Sequence, residues 1–258
     1  MEPFLFECVA SAYFVLLALG ATLAPVPFRR RARAIAASCL VILGIVAASR
    51  ALPDDVRVWL PHLYLALGYW LPSMLTAAPR ESRFEAWLRR HDGAWRQKVG
   101  ALPPAAAGTL ELAYLACFVV VPLAFVTVWT VGTVQQVERF WVAVLLSGFA
   151  CYFTLPWLVS RPPRTFIDGP ASRPGVASFN VSVLRAVSHQ FNTFPSGHVA
   201  VATAIALAVF PVWPLAGVIF GIVAMGIAAG AAAGRYHYGI DVIVGAVVGI
   251  VAAAVAAL

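Results

Sequence analysis

PLAGVIFGIVAMGIAAGAAAGRYHYGIDVIVGAVVGIVAAAVAAL, residues 214–258, holds two apolar runs with one polar octet, Gly234–Asp241, between them. Each run, 215–233 and 238–257, is about 20 residues long, which as an α-helix reaches roughly the 30 Å of a bilayer's hydrocarbon core. Gly226, Gly230 and Gly234 recur every four residues, and Gly245 and Gly249 repeat the spacing. Such small-xxx-small faces let helix backbones approach closely in lipid, where no hydrophobic drive brings helices together. The segment therefore predicts two membrane helices that pack closely on their neighbours, joined by a short turn that carries an arginine, a histidine and an aspartate.

The rest of the 258-residue chain has the same character. It is 62% hydrophobic and 11% charged, with a mean hydropathy of +0.86, whereas soluble domains are about half apolar and a quarter charged. Further apolar runs lie near 4–24, 35–51, 58–77, 108–131, 139–160 and 196–213. The expected fold is all-α: a polytopic membrane bundle of about eight transmembrane helices, six to eight, with an interfacial amphipathic helix. The third run is the weakest span, because Pro61, His62 and Pro72 interrupt it, and a re-entrant or interfacial course is the alternative. The acidic start MEPFLFE lacks the basic region of a secretory leader, so the first run is expected to be a retained helix. Cys8, Cys39, Cys117 and Cys151 stand singly inside apolar runs and suggest neither a zinc site nor a disulfide framework.

The whole chain reads as a single integral membrane domain, with N-terminal helices over 1–78, an interfacial helix over 80–98 and a core over 108–258. In RESRFEAWLRRHDGAWRQK (80–98), Phe84, Trp87, Leu88 and Trp95 fall roughly on one helical face among arginines. A mere connector and a headgroup reader both fit this pattern, since aromatic and basic residues gather at every membrane boundary. The other long connection, 161–194, carries Arg161, Arg164, Asp168, Arg173 and Arg185 and is polar enough to be a surface loop.

Two segments carry chemistry. FPSGHVAVATA (194–204) opens an apolar helix with Pro195, Ser196, Gly197 and His198. Pro suits a first turn and Ser is a good cap, while a helix N-terminus with uncovered N–H groups is a natural phosphate site. In GRYHYGID, His237 and Asp241 are four residues apart. If the helix has begun, they share a face, and the carboxylate can fix one ring nitrogen and leave the other as a nucleophile or base. The alternation of the last four helices places Arg161, Ser196 and His237 at one membrane surface. Isolated histidines at such boundaries are mostly structural, but two in polar clusters on one side point to a site.

These residues resemble the membrane branch of the type 2 phosphatidic acid phosphatase superfamily, whose signature has three parts. Pro195-Ser196-Gly197-His198 matches the second part, and His237 to Asp241 the His-x-x-x-Asp of the third. Arg161-Pro162 matches the pair of the first part, but Thr154 stands where its lysine would be. Arg235 is only two residues before His237, closer than in the usual phosphatase, and Gly234 replaces a serine. The compressed Arg-x-His-Tyr looks more like the aureobasidin-sensitive inositol phosphorylceramide synthase subfamily and its bacterial relatives.

The resemblance covers about 108–258. It implies that His237 attacks phosphorus, that Asp241 holds its tautomer, and that His198 moves the protons. Arg161, Arg235, Ser196, the N–H groups around Gly197 and, more weakly, Arg164 would cradle the phosphoryl oxygens. With the acids scattered, no metal site and no cofactor are expected. The partners implied are a lipid phosphate substrate and membrane lipids, with no nucleic acid.

A hydrolase and a phospho-headgroup transferase share this chemistry up to the second step. A transporter or structural membrane protein would also have eight apolar helices, but would not need both motifs on one side. On sidedness two arguments oppose each other. All 18 Lys and Arg residues except Arg50, Arg57 and Arg139 fall on the face bearing the site, which favours the cytoplasm. The resemblance implies an extra-cytoplasmic site in a cell membrane, and that is the expectation adopted.

Overall fold

Long runs of Leu, Val, Ala and Phe with few breakers form helices, and prolines and short polar turns end them. The computed structural model describes residues 2–77, 82–92, 103–166, 176–189, 191 and 193–258, and every regular element among them is helical. These are α1 (Leu5–Leu23), α2 (Phe28–Ala51), the single turn α3 (Asp54–Arg57), α4 (Pro61–Trp70), α5 (Arg83–His91), α6 (Pro104–Leu115), α7 (Val120–Val131), α8 (Val134–Phe153), α9 (Val176–Val187), α10 (Gly197–Val209), α11 (Pro214–Ala233) and α12 (Gly239–Ala257). Short 3-10 turns follow α4 and α6 and begin the 161–194 connection.

Among the described residues α1, α2, α11 and α12 are long and apolar enough to cross a membrane, and the bent pair α6–α7 makes a fifth span if counted as one. The count of about eight read from the apolar runs is larger for physical reasons. The run 196–213 yields a helix of only 13 residues, and α8 begins with polar Gln135, Gln136, Glu138 and Arg139. The third run breaks at its prolines: α4 has 10 residues and the 3-10 turn Leu71–Leu75 has five. Together these reach about 25 Å at the rises of the two helix types.

Contacts sort the connections into two ends. At one, Arg57 pairs with Glu7 inside the protein, Leu5 N–H donates to Glu138, and Trp59 packs on Phe125 and Trp129. At the other, Arg30 donates to the Thr76 carbonyl at 3.4 Å, Ser82 to that of Val159 at 3.2 Å, and Ser196 N–H to that of Asp241 at 3.1 Å. The third run leads from the Glu7 end, where Arg57 lies, to the Arg30 end, where Thr76 lies.

Helix α10 sits at the centre, against α8, α11 and α12. The predicted small-residue face of α12 makes one of these contacts. A Cβ on Gly245 would stand 2.7 Å from the Ser196 carbonyl oxygen, and one on Gly249 would meet the Ala200 backbone. Gly230 gives the same close approach of α11 to Leu110 and Tyr114 on α6.

Two expectations change. The 161–194 connection is not only loop, since it contains the 12-residue helix α9; VASFNVSVLRAV has the apolar periodicity that buries Leu184. Of the interfacial helix expected over 80–98, Arg83–His91 is helical, while Arg80, Trp95 and Lys98 lie outside the described residues, as do Asp168 and Arg173. The buried face of α5 is not purely apolar: Leu88 shares it with Glu85, and Asp92 follows.

Candidate active site

The site forms at the Arg30 end, where α8, α10, α11 and α12 begin or stop. Helix α11 closes with Gly234, and Arg235 then takes the left-handed conformation, φ 58°, which costs a non-glycine residue about 1 kcal/mol or more and is often kept at functional turns. The reversal lets the Tyr236 and His237 N–H groups bond back to the Ala231 carbonyl at 3.0 and 3.1 Å. His237 is thereby held against the bundle, 5% exposed. Burial, with the Arg164 charge adding, pushes its imidazole down to about 3, so it is a neutral ring at ordinary pH.

Helix α12 starts at Gly239, so His237 and Asp241 do not share a helical face as a four-residue spacing suggests. They meet nonetheless, because Asp241 folds back in the first turn. Its Oδ2 accepts from Tyr238 N–H at 3.1 Å and lies 3.5 Å from His237 Nδ1. That is long for a hydrogen bond and short enough for a small ring rotation to make one. Asp241 is fully buried.

Ser196 caps α10, accepting from Val199 N–H at 3.5 Å. The Gly197 N–H, expected to face phosphate, donates instead to Thr193 Oγ1 at 3.3 Å. What requires glycine here is space, since a Cβ would stand 2.5 Å from the Tyr152 ring. His198, one residue on, turns toward His237: the ring centroids are 5.9 Å apart and inclined at 69°. Tyr114 lies at 5.6 Å and Phe118 at 6.4 Å from the His198 ring, and His198 Nδ1 is buried with no partner among the described residues. Two neutral-capable imidazoles at this separation can serve one phosphoryl group, one as nucleophile and one as proton carrier.

The arginines are arranged differently from one another. Arg161 is held by Glu85 of α5, which takes its Nε at 3.0 Å, its Nη2 at 2.9 Å and its backbone N–H at 2.8 Å. Arg164 lies over the Tyr236 ring at 4.6 Å. Burial lowers its pKa from the usual guanidinium value, and its Nη1 is buried without a partner among the described residues. Arg235 is half-buried in the turn. Thr154, in place of a lysine, donates its hydroxyl to the Phe194 carbonyl at 2.5 Å or that of Cys151 at 2.7 Å, tethering the chain two residues before Ser196.

A sequence profile of the PAP2 superfamily matches residues 82–255. The chain belongs to the PAP2 superfamily. No curated protein and no solved structure matches it. The superfamily match begins at Ser82, N-terminal to the 108–258 stretch that carries the motif resemblance, and so includes α5.

The structure gives a reason for α5 to travel with the PAP2 core, because this helix ties three motif segments together. Glu85 holds Arg161, Phe84 packs edge-on against Phe194 at 5.0 Å, and Asp92 Oδ1 accepts from Gly239 N–H at 2.8 Å at the start of α12. Sequence reading noticed the aromatic residues of α5 and missed its two acids. It also missed His189, whose ring stacks on Tyr69 at 4.3 Å. Burial and the nearby His198 push the His189 imidazole down to about 4. A fourth missed residue is Glu111 of α6, which accepts from Tyr236 and Asn180. An acid inside an apolar run is the one signal that would have found it. Among the described residues no three His, Cys, Asp or Glu side chains converge as a metal site.

Proposed function

We propose that this PAP2 protein is a membrane lipid phosphatase or phosphotransferase that works through a phosphohistidine on His237, with the site on the extra-cytoplasmic face. The observation that carries the reading is the meeting of the two motif histidines beside Asp241 and Arg164. His237 attacks phosphorus, a P–N bond forms, and the bond to the leaving oxygen breaks as His198 gives that oxygen a proton. His198 then takes a proton from water or an alcohol, whose oxygen attacks phosphorus and breaks the P–N bond. Arg164, Arg161 and Arg235, with the Ser196 turn, hold the charge of the phosphoryl oxygens. Arg164 occupies, in this reading, the place of the missing lysine.

The reaction is metal-independent in this account, because the acids at the site among the described residues are already engaged by the protein itself. Glu85 is on Arg161, Asp92 on Gly239, Asp241 at Tyr238 and His237, and Glu111 on Tyr236. We further read all eight apolar runs as membrane passages, supported by their alternation between the two ends. The extra-cytoplasmic placement follows the family resemblance, against a positive charge balance that stays at 10 to 3 when the five arginines of 161–235 are set aside.

The transferase reading, akin to inositol phosphorylceramide synthases, is favoured by the Arg235-Tyr236-His237-Tyr238 turn and by the Tyr114 and Phe118 rings beside His198, which form an apolar wall. A panel of lipid phosphates, diphosphates and phosphodiesters in detergent, with EDTA present, tests both. Phosphate release marks the hydrolase, and headgroup exchange without release marks the transferase. Activity on none, or only with added magnesium, contradicts the proposal.

A further inference from the structure

We propose that Glu111 is a positioning residue that holds Arg164 toward the phosphoryl group by way of Tyr236; this rests on the proposed role of Arg164 in phosphate binding. Glu111 is the one ionisable acid in the apolar sequence PAAAGTLELAYL of α6, and an acid at such a depth is costly unless it has partners and a function. Its partners are all from the site end. The Tyr236 hydroxyl donates to Glu111 Oε2. Asn180 Nδ2, on a fully buried side chain of α9, donates to the same oxygen at 2.5 Å and to the Glu111 carbonyl at 2.8 Å.

Tyr236 is the residue immediately before His237, and its ring stacks on Tyr114 at 4.3 Å with the planes 6° apart. Its hydroxyl proton is committed to Glu111, which fixes the ring over which the Arg164 guanidinium lies, 4.6 Å from its centroid. The Arg164 backbone N–H is fixed as well, by the Arg235 carbonyl at 3.2 Å.

Arg164 is thus held at its backbone and at one side of its guanidinium, while Nη1 is buried without a partner among the described residues. A buried donor of that kind is rare and calls for an occupant. A phosphoryl oxygen is the acceptor that a guanidinium in a desolvated site binds most strongly. A guanidinium in such surroundings also needs a counter-charge when no substrate is present, and the Glu111 carboxylate, held on the Tyr236 hydroxyl, supplies it. The chain Asn180 to Glu111, Tyr236 to Glu111, and Arg164 to Tyr236 therefore links α6 and α9 to the turn that bears His237. Tyr114, the next turn of α6, reaches the His198 ring.

The test is a double-mutant cycle on the purified full-length chain in detergent, read as kcat and KM for whichever lipid phosphate is turned over and as inhibition by inorganic phosphate. Arg164→Ala is expected to lower kcat/KM by roughly 100-fold. Glu111→Ala is expected to lower it by about 10-fold and to weaken phosphate inhibition, while Glu111→Gln, whose amide oxygen still accepts but carries no charge, is expected to recover only part of that loss. The decisive arm is Glu111→Ala in the Arg164→Ala background, where no further loss is expected. A further loss of about 10-fold there shows that Glu111 acts independently of Arg164 and overturns the inference, leaving the phosphohistidine reading untouched. Wild-type activity of Arg164→Ala overturns the inference together with the proposed role of Arg164. Should Glu111→Ala fail to give a monodisperse protein, Tyr236→Phe, which keeps the stacked ring, replaces it in the same cycle with the same expectations.

Discussion

Gly245→Ala tests whether the packing of α12 on the α10 entrance sets the site geometry. The added methyl would stand 2.7 Å from the Ser196 carbonyl oxygen and 3.3 Å from the Ser196 nitrogen and Cβ. Carbon–oxygen contacts come no closer than about 3.3 Å, so the two backbones must part by about 0.6 Å. Backbone cannot rotate away as a side chain would, and overpacking of this kind costs about 1–3 kcal/mol. Asp241 lies one turn earlier on the same face, and its carbonyl accepts from Ser196 N–H at 3.1 Å. The displacement therefore falls directly between His198 and the carboxylate beside His237. Misplacements approaching 1 Å slow positioned catalysis by up to about 100-fold, so a loss of roughly 10- to 100-fold in turnover is expected. The assay is substrate turnover with thermal unfolding in detergent, beside Gly221→Ala on α11, where an added Cβ meets nothing within 4 Å. The control should match the parent in both. Gly245→Ala with unchanged stability and turnover refutes the reasoning.

Other outcomes follow from the same geometry. His198→Ala should slow turnover by orders of magnitude and Asp241→Asn by less, since one moves protons and the other orients a ring; steady-state rates on purified protein check both. Glu85→Ala leaves the 32%-exposed Arg161 without its acid. The cost is about 1–3 kcal/mol, below that of a fully buried pair because solvent reaches the arginine. Thermal unfolding measures it, and Glu85→Gln should recover part. Cysteines placed at Ser172 and Ala94, in a background lacking the native cysteines, should label together with an impermeant thiol reagent from outside. Labelling of one site alone overturns the passage count between them, and protection of both until lysis places the site in the cytoplasm.

The apolar runs and the two motifs were legible because each rests on a pattern within one segment. Periodicity and length gave the helices of 214–258, and the four-residue glycine spacing gave their close approach to α6 and α10. The third run was ambiguous for a physical reason: Pro61 and Pro72 break its hydrogen-bond ladder, and its direction shows only in distant contacts, Arg57 on Glu7 and Trp59 on Phe125 and Trp129 at one end and Thr76 on Arg30 at the other. Gly197 was read as a phosphate donor, yet its N–H is taken by Thr193, whose proximity depends on the turn before α10. Glu85, Asp92 and His189 escaped notice because a single polar residue in a polar or interfacial stretch has no local signature, and Glu111 carried only that of an acid in an apolar run. Their meaning comes from partners 69 to 147 residues away, as with Asn180 on Glu111 and Gly239 on Asp92.

The central claim is that His237 carries the phosphoryl group between two half-reactions. Rapid denaturing quench of the enzyme during turnover, followed by peptide mass spectrometry under alkaline conditions that preserve phosphohistidine, tests it most directly. The account predicts a phosphoryl or phospho-headgroup adduct on His237, absent from Asp241, and no adduct and no turnover in His237→Ala. An adduct on another residue, or full turnover by His237→Ala, contradicts it.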